Sequence, residues 1–398
     1  MLPIEIVITH ALRTPIGKFL GALSPLSAVE LGAHAIRSVL AESGLDGSEV
    51  DDVLMGQGRQ LGSGPNPARQ SAIAAGLPDT VPASTFNRAC GSGLETIWMG
   101  ARRLALGEAK FIIAGGMESM TNIPYLLPKM RSGYRLGHGE VLDGNFKDGF
   151  FCPLANMPMG RTAENLVDRF ELSRQEQDEY ALQSFQRWEA AEAAGRFASE
   201  RAPIEITGRK GAVTKVDFDE HGRKGQTLEA LAKLPPVFRK AEEGGTVHAG
   251  NSSGITDGGV ALLLTTREIA EQRGMPIMAR LGVMQMRALA PEIMGVAPVP
   301  AMQALCAKLD VKPDDFDLIE LNEAFAAQVL ACQRQFPLPM DRLNVNGGAI
   351  ALGHPIGASG ARIATTLLHE MQRRDAKLGM AALCMSGGQG MAISFHRD

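Results

Sequence analysis

The chain has 398 residues, 45% of them hydrophobic and 21% charged, with a formal net charge of -4. That length exceeds one ordinary core, so two or more packed units are expected, and the composition excludes a disordered chain. The slight negative charge argues against a nucleic-acid or membrane-surface binder, and no apolar run approaches the ~18 residues of a membrane span.

Ile4 to Thr9 reads as the first strand. A signal peptide would need a basic start and then an apolar run, and neither is present, so the cytoplasm is the expected location. Val50-Asp51-Asp52-Val53-Leu54 follows a helix-like stretch and runs into Gly56-Gln57-Gly58. Leu61 stands where a dinucleotide turn needs glycine or alanine, and no P-loop lysine follows, so this is not read as a nucleotide site. Next comes Asn87-Arg88-Ala89-Cys90-Gly91-Ser92-Gly93. Its glycines allow tight turning and close approach by a ligand. Leu94, Ile97, Trp98, Ala101 and Leu104 then fall on one helix face, which puts Cys90 where free N–H groups and the helix dipole favour thiolate.

Phe111-Ile112-Ile113-Ala114 is a further strand, ending in Gly115-Gly116. From about 120 to 250 the pattern loosens into Gly, Pro and charge, read as an inserted loop domain able to cover a site. Its one clear helix starts at the capping box of Ser173 and Glu176 and stops at Gly195. A basic cluster, Arg209, Lys210, Lys215, Arg223 and Lys224, reads as a solvated loop, with an anion site as the alternative.

Phe316-Asp317-Leu318-Ile319-Glu320 leads to Asn322-Glu323-Ala324-Phe325-Ala326, where Asn322 is either a helix N-cap or a site residue. The glycine-dense loop Asn344 to Gly360 carries His354 ahead of a helix over Ala361 to Met371. That histidine can take a thiol proton and then present N–H to an oxyanion. Cys384-Met385-Ser386-Gly387-Gly388-Gln389-Gly390 ends a strand, and its N–H groups can form an anion nest, with Cys384 a candidate acid/base. Cys152, Cys306 and Cys332 carry no motif and read as packing. With no C-x-x-C pair, neither zinc nor disulfides are expected.

Two segments repeat. Val50–Leu54 matches Phe316–Glu320, and the strand after Ala109-Lys110 matches the one after Ala376-Lys377, at nearly one offset. The expected fold is therefore α/β in two similar halves. The boundaries read as 1–120 for the first half, 121–250 for the loop domain (part returning to the first half) and 251–398 for the second half.

At the cysteine turn, N-E-A-F, G-G-A-I-A-L-G-H-P-I-G-A-S-G and C-x-x-G-G-x-G, in that order, the chain resembles the thiolase family over essentially its full length. Gly116-Met117-Glu118-Ser119-Met120, Met159-Gly160-x-Thr162-Ala163-Glu164-Asn165 and Gly250-Asn251-Ser252-Ser253-Gly254 resemble its biosynthetic, acetoacetyl-CoA branch. The resemblance implies a five-layer αβαβα fold and acetyl-CoA C-acetyltransferase activity. It makes Cys90 the acyl-accepting nucleophile, His354 its activator and Cys384 the acid/base. Asn322 would hold a water that shares the enolate oxygen with His354, and the N–H groups of Cys90 and Ser386 would line a second oxyanion hole. Arg223 and Ser253 would contact coenzyme A, with Met159, Phe238, Met294, Ala324 and Phe325 as pocket walls. Acyl-CoA is the implied partner, coenzyme A enters only as substrate and product, and no metal or other cofactor is implied. A homotetramer through Tyr125 to Asn145 is expected. The chain departs from the branch at Pro158 for histidine, Ser386 for glycine and Ala230 for serine. The alternatives are a 3-ketoacyl-CoA thiolase for longer chains and a non-catalytic acyl-CoA-binding protein.

Overall fold

The computed structural model describes residues 2–208 and 211–398. Arg209 and Lys210 of the basic cluster lie outside them. Of that cluster's other members, Lys215 sits 3.8 Å from Asp217 on an exposed hairpin, and Arg223 and Lys224 are exposed.

The first half holds β1 (Ile6–Arg13), α1 (Ala28–Ser43), β2 (Asp52–Gly56), α2 (Pro67–Ala74), β3 (Ala83–Phe86), α3 (Ser92–Ala105) and β4 (Ile112–Ser119). The intervening stretch carries α4 (Met159–Phe170) and α5 (Arg174–Ala193), after which β5 (Thr256–Thr266) returns to the first sheet. The second half contains β6 (Ala279–Ala288), α6 (Pro298–Leu309), β7 (Leu318–Leu321), α7 (Ala326–Gln335), α8 (Ile356–Arg374), β8 (Leu378–Met385) and β9 (Gln389–His396).

The strand orders show the duplication. The first half runs β3-β2-β4-β5-β1, and the second runs β7-β8-β9-β6, with Leu343 bridging Ile319 in parallel where β3 stands in the first. In each half a pair away from the seam (β2 with β4, β7 with β8) is parallel, and the two pairs between it and the seam are antiparallel. The sheets meet where Val7 and Ile8 of β1 pair with Arg280 and Ala279 of β6. All eight residues of β1 and all eight of β4 are buried, because helices cover both faces, which is why neither strand alternates apolar with polar residues.

Helices α1 and α2 cover the outer face of the first sheet and α6 that of the second. Between the sheets α3 packs on α8, and α8 touches strands of both halves. That is five layers, helix–sheet–helix–sheet–helix. The central pair approach backbone to backbone. A Cβ on Gly93 would stand 2.7 Å from the Ala361 nitrogen, and one on Gly360 2.5 Å from the Leu94 nitrogen. Because α3 and α8 occupy equivalent places after equivalent strands, this contact brings both helix starts, and hence Cys90 and His354, to one point. Gly116 of β4 abuts α8 as well: a Cβ there would collide with the Gly357 carbonyl and lie 2.9 Å from the Ala358 Cα. Gly116→Ala is expected to lower stability by about 1–3 kcal/mol, since backbone cannot rotate away as a side chain can. A denaturation midpoint equal to that of the unaltered protein would contradict this.

Two expectations need correction. The second half begins at β6 and not at residue 251, because β5 lies between β1 and β4 in the first sheet. Residues 121–250 also lack a core of their own. Ala163, Leu166, Tyr180, Phe185 and Trp188 of α4 and α5 share one cluster with Met302, Val329 and Leu352 of the second half. The helix at Ser173 forms as expected, with both arms of the capping box present and Gly195 left-handed just beyond it.

Candidate active site

Cys90 sits in the turn between β3 and α3. Ala89 before it is left-handed (φ 46°), an uncommon state for a residue with a Cβ. Ser92 holds the turn: its Oγ accepts from the Arg88 N–H at 2.8 Å and donates to the Ala89 carbonyl at 2.6 Å. A Cβ on Gly91 would collide with Met385, so the terminal glycine turn lies directly against the cysteine turn.

His354 faces the sulfur, with Nε2 3.2 Å from Cys90 Sγ and Nδ1 2.5 Å from Ser359 Oγ. The Ser359 hydroxyl donates to the Pro355 carbonyl at 2.9 Å, which can only accept. Its oxygen is then left to accept from Nδ1–H, and Nε2 presents a lone pair to the thiol.

The protonation states differ from the expectation of a helix-stabilised thiolate. Burial pushes the Cys90 thiol up to about 11, against the opposing pull of Arg59 and the N–H groups of Cys90 and Ser386. Burial also lowers His354 to about 3, helped by the charges of Arg362 and Arg59. Desolvation outweighs the helix terminus, because α3 starts inside the central layer. At neutral pH the pair is a neutral thiol beside a neutral imidazole.

Cys384 ends β8 and is buried. Burial, and then the nearby Cys90 sulfur, hold its thiol well above the usual cysteine range. The backbone N–H groups of Ser386 and of Cys90 itself lie near enough to the Cys90 sulfur to favour its charged form. Asn322 is not a helix cap, since α7 starts at Ala326 with Phe325 as its cap. Its side-chain nitrogen and oxygen are both buried without a partner among the described residues. Glu323 beside it ties the surrounding loops together. One carboxylate oxygen accepts from Tyr180 (2.9 Å) and Asn344 (3.0 Å), the other from Ser184 (2.7 Å) and the Ile350 N–H (3.1 Å).

Cys90 and His354 open into a cavity of about 570 Å³. Arg223 and Ser253 border it, and Met159, Phe238, Met294, Ala324 and Phe325 form apolar wall, the two phenyl rings edge to face at 6.3 Å. Ser386 and Pro158 line it too, whereas Cys384 and Asn322 are not among the lining residues and Ala230 is elsewhere. Three contributors went unremarked in the sequence: Ser359, Glu118 and Arg59. Glu118 accepts N–H bonds from Gly58, Arg59 and Gly357, joining the strand-end loop after β2 to the start of α8. A buried carboxylate in a glycine-rich motif was the available signal for Glu118.

Duplicated α/β halves closing on a thiol and an imidazole define the scaffold of an enzyme that works through a cysteine. The descriptions "Thiolase, N-terminal domain" and "Thiolase, C-terminal domain" match residues 6–268 and 275–397. The chain belongs to the thiolase family. It is 48% identical over 394 residues to an acetyl-CoA acetyltransferase of Pseudomonas aeruginosa, covering 99% of this chain and 100% of that one. The crystal structure of a Bacillus anthracis acetyl-CoA acetyltransferase superposes with a TM-score of 0.96 at 41% identity, covering 99% of each. Human mitochondrial 3-ketoacyl-CoA thiolase in complex with CoA gives 0.94 at 39% identity, covering 100% of this chain and 99% of that one. Among the described residues, no helix is long and apolar enough to cross a membrane.

Proposed function

We propose that the chain is an acetyl-CoA C-acetyltransferase, condensing two acetyl-CoA or cleaving acetoacetyl-CoA through an acetyl group on Cys90. The 3.2 Å contact between His354 Nε2 and the Cys90 sulfur carries this reading. The Cys90 proton passes to Nε2 as the sulfur attacks the thioester carbon, and the two N–H donors at the sulfur, from Cys90 and Ser386, suit the oxyanion that forms. Coenzyme A departs as a thiolate and takes the Cys384 proton, which leaves Cys384 as the base. A second acetyl-CoA gives its α-proton to Cys384 while protonated His354, with a water on Asn322, holds the enolate oxygen. The carbanion attacks the acetyl carbon, the Cys90–carbon bond breaks, and the imidazolium returns a proton to the Cys90 sulfur. Coenzyme A serves as substrate and product, seated by Arg223 and Ser253.

A 3-ketoacyl-CoA thiolase for longer chains is the second reading. Pro158 lines the cavity where the branch has histidine, and a further space of about 960 Å³ shares Met159 and Ser386 with it. Thiolysis rates separate the two. Higher kcat/KM for acetoacetyl-CoA than for a longer 3-ketoacyl-CoA supports the first reading, and the reverse order supports the second. We also infer a cytoplasmic homotetramer assembled through Tyr125 to Asn145, where Tyr125, Met130, Leu136 and Val141 are exposed apolar residues. Sedimentation showing a stable monomer or dimer would contradict the tetramer.

A further inference from the structure

Arg59 follows β2 and is 1% exposed, yet it borders both the cavity of Cys90 and the second space. One of its guanidinium nitrogens, Nη1, donates to Asn145 Oδ1 at 3.3 Å, while Nε and Nη2 have no acceptor among the described residues. The Phe150 ring lies 4.2 Å from the guanidinium carbon, and a Cβ on Gly149 would collide with the same group. Residues 145–150 are thus moulded around this side chain. Glu118, buried nearby, gives its oxygens to backbone N–H groups and does not bond the guanidinium. A desolvated cation without a bonded counter-ion is unfavourable, and such groups concentrate at functional sites.

The surrounding charges are few. His354, Cys384, Arg59 and Glu118 face the Cys90 sulfur, and Asp143 and Asp148 face Arg59 from the covering segment. Arg362 acts on His354. Of the influences that favour the Cys90 thiolate, Arg59 is the largest, and Glu118 acts the other way.

We propose that Arg59 is a positioning residue for acyl transfer, its buried charge offsetting the thiolate as Cys90 gives up its proton and its flat face seating residues 145–150 as a pocket wall. This rests on Cys90 as the nucleophile. In the step concerned, the S–H bond breaks, the proton goes to His354 Nε2, and the electron pair stays on sulfur. The same charge disfavours the imidazolium, so the test reads the sulfur itself.

Alkylation of Cys90 by iodoacetamide at a pH of about 8.5, followed by mass spectrometry of its peptide, reports thiolate reactivity and needs no CoA substrate. Burial pushes Glu118 up to about 7, so it is ionised there. Arg59→Met is expected to slow alkylation roughly three- to tenfold, the reactivity equivalent of about one pKa unit less the gain in intrinsic nucleophilicity. Arg59→Lys should stay within about twofold of the unaltered protein, and Glu118→Gln should speed alkylation by a similar factor to the Met variant's loss. A packing defect would move both neutral variants the same way. Equal rates in Arg59→Met and the unaltered protein, or slower alkylation in Glu118→Gln, overturn the proposal. If Arg59→Met does not fold, the direction of change in Glu118→Gln decides alone. An unaltered protein that takes no acetyl group from acetyl-CoA sinks the acyl-transfer reading and leaves this alkylation test standing.

Discussion

Cys90→Ser is expected to fold normally and to lose activity by on the order of 10⁴-fold in both thiolysis and condensation. In the proposed mechanism the change removes the sulfur that carries the acyl group, in a place where nothing can replace it. A serine hydroxyl is far harder to deprotonate than a thiol, and His354, lowered to about 3 by burial, is a weak base. The thiol reacts because sulfur is intrinsically nucleophilic and the N–H groups of Cys90 and Ser386 stand beside it. Steady-state rates of both reactions, with circular dichroism to confirm the fold, check the prediction. Retention of a tenth of the activity would mean that another group carries the acyl chain.

Cys384→Ala should split the reaction in two. Acetyl transfer from acetyl-CoA to Cys90 should slow by no more than about tenfold, because a thiolate is a competent leaving group without a proton donor. Carbon–carbon bond formation should fall by roughly 10²–10⁴-fold, the usual value of a positioned acid/base. The asymmetry follows from place: Cys384 is buried beside the Cys90 sulfur, close enough for that sulfur to raise the cost of charging it, but among the described residues it makes no hydrogen bond that would orient His354. Rapid-quench measurement of the CoA burst, compared with steady-state acetoacetyl-CoA formation, separates the steps. Equal losses in both would assign Cys384 to acylation or to structure.

The placements that proved readable in the sequence are those set by local structure. Cys90 and His354 stand in glycine turns before helices, and such turns are recognisable without a third dimension. The repeat was visible because matched strands, β2 with β7 and β4 with β8, keep their apolar character, and β4 and β8 each carry a glycine pair at or after the end of their apolar run. What could not be read depends on packing between distant segments. Asn322 could be read equally as a helix cap or a site residue because a loop and a helix start share the same residue types, whereas the helix begins only at Ala326, with Phe325 as its cap. The Cys90 thiol was expected to be acidic from its helix terminus, but the terminus lies in the central layer, where desolvation dominates. Strand β5 joins the first sheet across more than a hundred intervening residues, a pairing that no local pattern encodes. Arg59 follows a glycine in an ordinary loop, and only burial and its missing acceptors distinguish it.

The proposed chemistry turns on a covalent bond at one sulfur. Mixing the purified protein with acetyl-CoA, quenching in acid and sequencing the peptides by mass spectrometry should find one acetyl group on Cys90, lost again when free coenzyme A is added before the quench. An unmodified Cys90, or an acetyl group on Cys384 or another cysteine in its place, would contradict it.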